Sequence, residues 1–435
     1  MAFLCVLSFL TYFDRVCIMR AQGDIQKDLG LSDAQMGLVF GAFWLAYALF
    51  EIPVGWWGDR FGARRTLTRI VLAWSLFTAL SGTATGFLSL LAFRFLFGVG
   101  EAGAYPNMAR IQSRWLPQRS RGRAGGMLWL AARWGGAFSP LIFGSMLRGL
   151  GSPGFRDFLD DLGLHALSTV PAWRLGFWAS GLLGVVWVVS FYPWFRDEPA
   201  EKPSVNEAEL NLICAGREPG EASHATPAGV GPALFTSPSL WALALLYLCG
   251  SFGWSFFVSW MPRFLKEVHG VSFERSEFMN ALPLFFGGLA CLMGGALSDV
   301  VVRRTGNRRL GRAIFPVAGC VAAASAMLGL RVVHSPERAV VLMCVAAAAF
   351  DFGQGANWAS IVDIGGRYAG SATGFINMVG NMGHFIQPVL GAWIFNHLGW
   401  PALFAAYAGA YLVAGSMWMF IDPRRRFYDR LASAV

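Results

Sequence analysis

The chain has 435 residues, of which 55% are hydrophobic and only 14% charged, with 37 Phe and 18 Trp. A mean hydropathy of +0.48 with that composition excludes a soluble protein, because soluble domains cannot bury so much apolar surface, and makes this a polytopic membrane protein. The formal net charge of +9 lies in short arginine runs beside apolar segments, with no separate basic domain, which excludes nucleic acid as a partner.

A span needs about 20 mostly apolar residues. The sequence predicts twelve, near 2–22, 35–57, 67–85, 87–108, 124–147, 174–195, 239–261, 278–298, 313–332, 339–361, 370–396 and 400–421. Met1 opens directly into the first, without a basic lead or a small-residue cleavage site, so this segment is expected to stay as a helix rather than leave as a signal peptide. The first span carries Asp14 and Arg15 in TYFDRV, and the fourth carries Arg94 and Glu101 in RFLFGVGEAGAYPN. Each ionised group at a bilayer centre costs about 2.5–3.5 kcal/mol, so these four must pair with one another or handle a charged solute. Interhelical pairing alone would account for them, but intramembrane charges generally mark pathways. Arg94 and Glu101 are two turns apart and share a helix face, about 10 Å from each other along the axis. Asp14 and Arg15 point roughly 100° apart, so one is expected to contact span four while the other faces the solute.

After span two comes GWWGDRFGARR (55–65), and after span eight GALSDVVVRR (295–304). Both read GxxxD followed by paired arginines at equivalent places, the mark of a duplicated six-helix unit. The small residue lets helices approach, and the Asp can cap a helix N-terminus or pair with an arginine, forming a latch that breaks when the halves rock. Asp59, Arg60, Arg64, Asp299 and Arg303 are the candidate gating residues. Glu51, just before the first motif, is expected to pair with loop arginines. Arginines in the loops after spans two, four and eight (among them Arg110, Arg121 and Arg312) and in the tail (Arg424, Arg425, Arg426, Arg430) put both termini in the cytoplasm. The predicted organisation is a bundle over 1–195, a polar cytoplasmic linker over 196–238 in which NEAELNLI forms a turn or two of helix, a second bundle over 239–421, and a tail over 422–435.

Span ten places Asp351, Gln354 or Gly355, and Trp358 on one face, the best C-terminal candidate for substrate contact. Tyr12, Tyr47, Gln354, Asn357, Asn377 and Asn381 can hydrogen-bond a hydroxylated solute or serve helix packing. His384 reads as a satisfied bundle histidine rather than a proton relay. The seven cysteines show no CxxC and no histidine at ligand spacing, so neither a disulfide framework nor a metal site is expected. HExxH, GxSxG and Walker motifs are absent, so the chain is expected to have no catalytic residues and no cofactor, and not to be an enzyme.

The loop GWWGDRFGARR resembles the signature of the major facilitator superfamily, and the likeness extends over nearly the whole chain. Within it, the sequence is similar to the anion:cation symporter family, which includes hexuronate, galactonate and glucarate permeases. The residues that carry this are YxDR at Tyr12 to Arg15, the stretch 36–62, RFLFGVGEAGAYPN at 94–107, FFVSWMPRFL at 256–265 and NMVGN at 377–381. The resemblance implies an all-α fold of twelve transmembrane helices in two pseudo-symmetric six-helix bundles. It also implies proton sites at Asp14 and Glu101, charge coupling and carboxylate recognition at Arg15 and Arg94, and cavity positions at Tyr12, Tyr47, Trp358 and Asn377. The chain departs from the permeases in span five, where Ala132 and Arg133 stand in place of a cavity glutamine. Arg133 could receive a second substrate carboxylate, favouring a diacid, or neutralise Asp351.

Two acids and two arginines balance when ionised, but an arriving carboxylate adds an uncompensated negative charge. Protonating Asp14 or Glu101 removes the excess and releases an arginine to hold the anion bidentately. The chain is therefore expected to import an organic anion with protons by alternating access, as a monomer in the lipid bilayer of the bacterial cytoplasmic (inner) membrane. A proton-independent uniporter or exchanger is the nearest alternative, followed by a transporter-derived nutrient sensor.

Overall fold

In the computed structural model, residues 1–214, 230–271 and 273–429 are described, and they form helices joined by short turns. Within a bilayer no water is available to the backbone, and an α-helix satisfies its N–H and C=O groups within its own segment. Among the described residues, eight helical stretches are apolar and long enough to cross a membrane. The longest, Pro336–Met419, folds into three spans. Ala63–Ser81 and Arg121–Leu150, made less apolar by their arginines, complete the twelve.

Spans one to six are Ala2–Arg20, Asp33–Phe61, Ala63–Ser81, Phe87–Glu101 continued by Ala104–Trp115, Arg121–Leu150 and Ala172–Trp194. Spans seven to ten are Pro238–Ser255 continued to His269, Phe273–Thr305, Arg308–Gly329, and Pro336–Phe352 continued by Gln354–Gly365. Spans eleven and twelve form one run, Ala369–Ser416, folded back on itself at Gly399, whose φ of 74° suits glycine. The α-helix of span twelve ends at Ser416 and a 3-10 turn carries it on to Met419, close to the expected 421. The short helix Glu207–Cys214 covers most of NEAELNLI, while 215–229 and Arg430 lie outside the described residues.

Three spans are broken where the sequence reads as continuous. Span four is interrupted at Ala102 and Gly103 (φ 81°), directly after Glu101. Pro106 has no N–H to offer the carbonyl four residues back, and Gly103 takes the left-handed conformation the break requires. Span ten is interrupted at Gly353, two residues after Asp351. Span seven contains a π-helical turn at Phe256–Trp260. Such irregular backbone in a membrane helix is tolerated where protein or a polar cavity surrounds it.

The loops rich in arginine gather at one end of the molecule, the arginine-rich end, with Phe3 packed on Trp194 and the Phe427 N–H bonded to the Ile364 carbonyl beside them. There spans one to six meet spans seven to twelve along two related seams. Span two lies on span eleven, where a Cβ on either Gly55 or Gly370 would strike the other's carbonyl oxygen. Span five lies on span eight, where Gly122 and Gly295 bear the same reciprocal relation. Glycine is needed at these crossings because the backbones touch. At the far end the halves part around a cavity.

Candidate functional site

Each seam is held by one of the two repeated aspartates. Asp59, at the end of span two, accepts hydrogen bonds from the Gly370 and Ser371 N–H groups (3.1 and 2.6 Å) and from the Ser371 hydroxyl (2.7 Å), which caps the start of span eleven. Asp299, at the end of span eight, accepts from the Gly122 and Arg123 N–H groups (3.0 and 2.7 Å), which caps span five. A carboxylate at a helix N-terminus meets free N–H groups and the positive end of the helix dipole. Arg110 donates to Asp59 at 3.2 Å and Arg312 to Asp299 at 2.7 Å. Arg121 adds a bond across the halves to Asp363 at 2.7 Å.

The other expected gating residues sit elsewhere. Arg60 is exposed and stacks on Trp56 and Phe61. Arg64 donates to the Tyr192 carbonyl within its own half, and Arg303 is exposed. The buried cations of the seams come from spans four, five and nine instead.

Between the halves lies a cavity of about 900 Å³ that reaches from the middle of the bundle to exposed residues at the far end, among them Arg20, Arg148 and Val389. Arg20 and Arg148 both lie beside Gly144 at this mouth. Deeper in, the wall includes Tyr12, Arg15, Trp44, Tyr47, Arg94 and Tyr105 from the first half with Trp129 and Arg133, and Tyr247, Trp254, Gln354, Asn377, Asn381 and His384 from the second.

The charges of spans one and four form a single group. Arg15 Nε donates to Glu101 Oε1 at 2.8 Å, and its guanidinium lies 4.4 Å from the Tyr47 ring centre. Arg15 therefore both contacts span four and lines the cavity, the two roles expected to fall to different residues. Asp14 is buried behind it, with Glu101 and Arg94 the charged groups around it. Arg94 lines the cavity and stacks on Phe97 at 4.2 Å, and its Nε and Nη1 have no hydrogen-bond partner. Neither acid lines the cavity, whereas both arginines do.

Arg133 Nε and Nη2 each donate to Asp351 at 2.7 Å, a two-bond fork across the halves. The guanidinium also lies over Trp254 at 4.2 Å. Arg133 is thus in the cavity wall with its fork already filled.

The expected substrate contacts divide. Tyr12, Tyr47, Gln354 and Asn377 line the cavity, and Gln354 Oε1 has no partner. Trp358 does not line it: fully buried, it donates to Gln112 at 2.8 Å and packs under Tyr105 and Trp129, one layer below the floor. Asn357 is also buried and accepts from Trp418 at 3.2 Å. Both side chains are consumed by packing at the closed end. His384 has a partner from a different span, Ser255, at 2.6 Å, and its ring sits in the wall beside Trp44 and Trp254. Glu51 pairs with no loop arginine and is buried at the seam between spans two and eleven.

Beyond Tyr12 and Tyr47, the aromatic wall adds Trp44, Tyr105, Trp129, Tyr247 and Trp254 to the expected contacts. Part of it has a signal in the sequence: Trp129 lies one turn before Arg133, and Tyr247 and Trp254 are seven apart, so each shares a helix face with a residue of the site, whereas Tyr105 follows Glu101 across the break in span four.

A family model described as Major Facilitator Superfamily matches residues 4–388. A probable sulfoacetate transporter of Cupriavidus necator is 30% identical over 423 residues, covering 97% of this chain and 92% of that protein. A probable galactarate/D-glucarate transporter of Bacillus subtilis is 29% identical, covering 97% and 91%. Among solved structures, a proton:xylose symporter superposes with a TM-score of 0.73 over 99% of this chain and 98% of its own at 14% identity, a likeness of fold.

Proposed function

The chain belongs to the Major Facilitator Superfamily and is a membrane transporter rather than an enzyme, and on that premise we propose that it carries a small organic anion together with a proton. The observation that carries this reading is the asymmetric pair of arginines beside the cavity: Arg94 keeps two buried N–H positions without a partner, while Arg15 is held by one bond to Glu101. An entering carboxylate or sulfonate is drawn to the unfilled positions of Arg94. A proton delivered to Glu101 weakens its hold on Arg15, whose guanidinium turns to the anion and completes a two-arginine clamp. Asp14 and Glu101 are the proton sites in this scheme. Gln354, Asn377 and Asn381 contact the remainder of the solute, and hydroxylated acids suit their amides. The names of the relatives, sulfoacetate and galactarate/D-glucarate transporters, support an acid of this size.

The halves, residues 1–195 and 239–421, rock about the cavity while the linker 196–238 and the tail 422–435 follow. By the distribution of arginines the closed end faces the cytoplasm, so the cavity described here is open to the outside of a bacterial inner membrane. The carrier works as a monomer. Asp59, Asp299 and their arginines form the inner gate.

Purified protein in proteoliposomes tests this with glucarate and sulfoacetate as probes. Wild type is expected to accumulate at least one of them under an inward proton gradient. Asp14→Asn and Glu101→Gln are expected to lose that accumulation yet retain counterflow, since a permanently neutral acid resembles the loaded site but cannot release a proton. Wild-type uptake that ignores the gradient but is stimulated by substrate on the opposite side identifies an exchanger instead.

A further inference from the structure

Glu51 has no place in the scheme above. It lies in span two with its side chain fully buried, and its carbonyl packs against Gly374 of span eleven, where a Cβ would strike it. No close hydrogen bond reaches either carboxyl oxygen, and no cation is bonded to it. Its polar neighbours, both neutral and near enough to hydrogen-bond the carboxyl, are Tyr47, one turn earlier, and Asn377, one turn beyond Gly374 on span eleven. The charged groups around it are Arg15 of span one and Glu101 of span four, already bonded to each other. Span eleven faces it with the neutral Asn377. Arg110 is bound to Asp59.

The charge count of the membrane interior gives this acid a consequence. Asp14, Glu51, Glu101 and Asp351 stand against Arg15, Arg94 and Arg133, all of them buried. Arg133 and Asp351 neutralise each other, which leaves three acids for two arginines. A carboxylate without a cationic partner in such a place is strongly disfavoured, and the group takes up a proton instead. Glu101 has Arg15, and Asp14 has Arg94 nearby. Glu51 is the acid left over.

We propose that Glu51 is a third proton-carrying carboxyl, filled while spans two and eleven are in contact and emptied when they part. This rests on the rocking motion of the proposed function. In the closed seam a proton arrives from cavity water past Tyr47 and Asn377, both in the cavity wall, and forms an O–H bond on Glu51. When the seam opens, Gly374 and Asn377 withdraw, water reaches the carboxyl, and the same O–H bond breaks to return the proton on the other side. One proton is added to the transport stoichiometry, and no other bond changes.

Two measurements decide the matter. In infrared spectra of the purified protein at neutral pH, Glu51→Gln is expected to remove a protonated-carboxyl C=O band present in wild type. Should that variant fail to fold, Glu51→Asp serves, with the band shifted rather than lost. In proteoliposomes at static head, Glu51→Gln is expected to lower glucarate or sulfoacetate accumulation by about tenfold per unit of imposed pH difference, the effect of one proton fewer per cycle. An unchanged carboxyl band overturns the proposal. A lost band with unchanged accumulation also overturns it, since the proton is then held permanently. A wild type that already ignores the gradient overturns proton coupling as a whole, whereas failure of the Glu51 role alone leaves a gradient-driven wild type and a variant equal to it.

Discussion

The two ion pairs buried beside the cavity are built differently. Arg15 and Glu101 join spans one and four of the same half through one bond of 2.8 Å, and they leave Arg15 Nη2 and Glu101 Oε2 without partners. Arg133 and Asp351 join opposite halves through two bonds of 2.7 Å each. A half-satisfied pair can be divided by a proton and an anion, because each newcomer finds an open position. A filled fork has none to offer and acts as a clamp. In the proposed scheme the same chemistry therefore serves exchange in one place and cohesion in the other.

Breaking the clamp is expected to have the largest effect. Arg133→Ala or Asp351→Asn leaves a buried group uncompensated, at a cost of about 3–5 kcal/mol, visible as a large fall in thermal stability of the purified protein. Arg133→Met combined with Asp351→Leu removes both charges and is expected to recover most of it. Because the fork of Arg133 is filled, Arg133→Gln is expected to weaken a diacid such as glucarate and a monoacid such as a hexuronate equally. Selective loss of the diacid would show that substrate displaces Asp351.

The exchangeable pair should respond in binding rather than stability. Arg94→Gln removes a charge-assisted contact of about 1.5–3 kcal/mol, which weakens anion binding roughly 10- to 150-fold. Arg94→Lys and Arg15→Lys are expected to fail too, because an ammonium cannot reproduce a two-donor fork. Isothermal titration with glucarate and sulfoacetate measures both. Normal binding by the lysine variants would mean that charge alone suffices.

Much of this site is legible in the sequence because charge in an apolar run is conspicuous. Asp14, Arg15, Arg94 and Glu101 stand out for that reason, and the GxxxD repeat points to Asp59 and Asp299. Their partners are harder to read. Arg60, Arg64 and Arg303 lie close by in the chain, but a seam between halves is built from distant segments, and its cations are Arg110, Arg121 and Arg312. Trp358 shares a face with Asp351, yet the helix is interrupted at Gly353 between them, so a shared periodicity does not carry across. Glu51 precedes the motif by one turn, at the end of span two, which in the sequence puts it within reach of the loop arginines. Only the packing of span eleven shows that it is sealed.

Smaller effects refine the contrast between clamp and exchangeable pair. Gly122→Ala forces a methyl against Gly295 and the Asp299–Arg312 pair, an overpacking cost of about 1–3 kcal/mol that loosens the closed end without touching either ion pair of the cavity. Faster thiol labelling of Cys291, fully buried where its carbonyl meets Gly126, is the expected readout, and labelling at the wild-type rate would mean the seam absorbs the methyl. At the bottom of the scale, Glu267→Gln breaks the exposed bond to Arg263. Such pairs contribute about 0–1 kcal/mol, so the melting temperature should scarcely change.

The arginines at the mouth bear on how quickly the carrier meets its solute. Arg20 and Arg148 stand at the mouth of a cavity lined largely by apolar side chains, and a cleft with such low-dielectric walls concentrates field lines and draws anions inward ahead of any contact. At physiological salt their reach is roughly 8 Å, about the distance over which a diffusing acid still chooses between entering and passing by. Capture at low substrate concentration should then slow as ionic strength rises, while the maximal turnover, set after the anion has left the rim, stays the same.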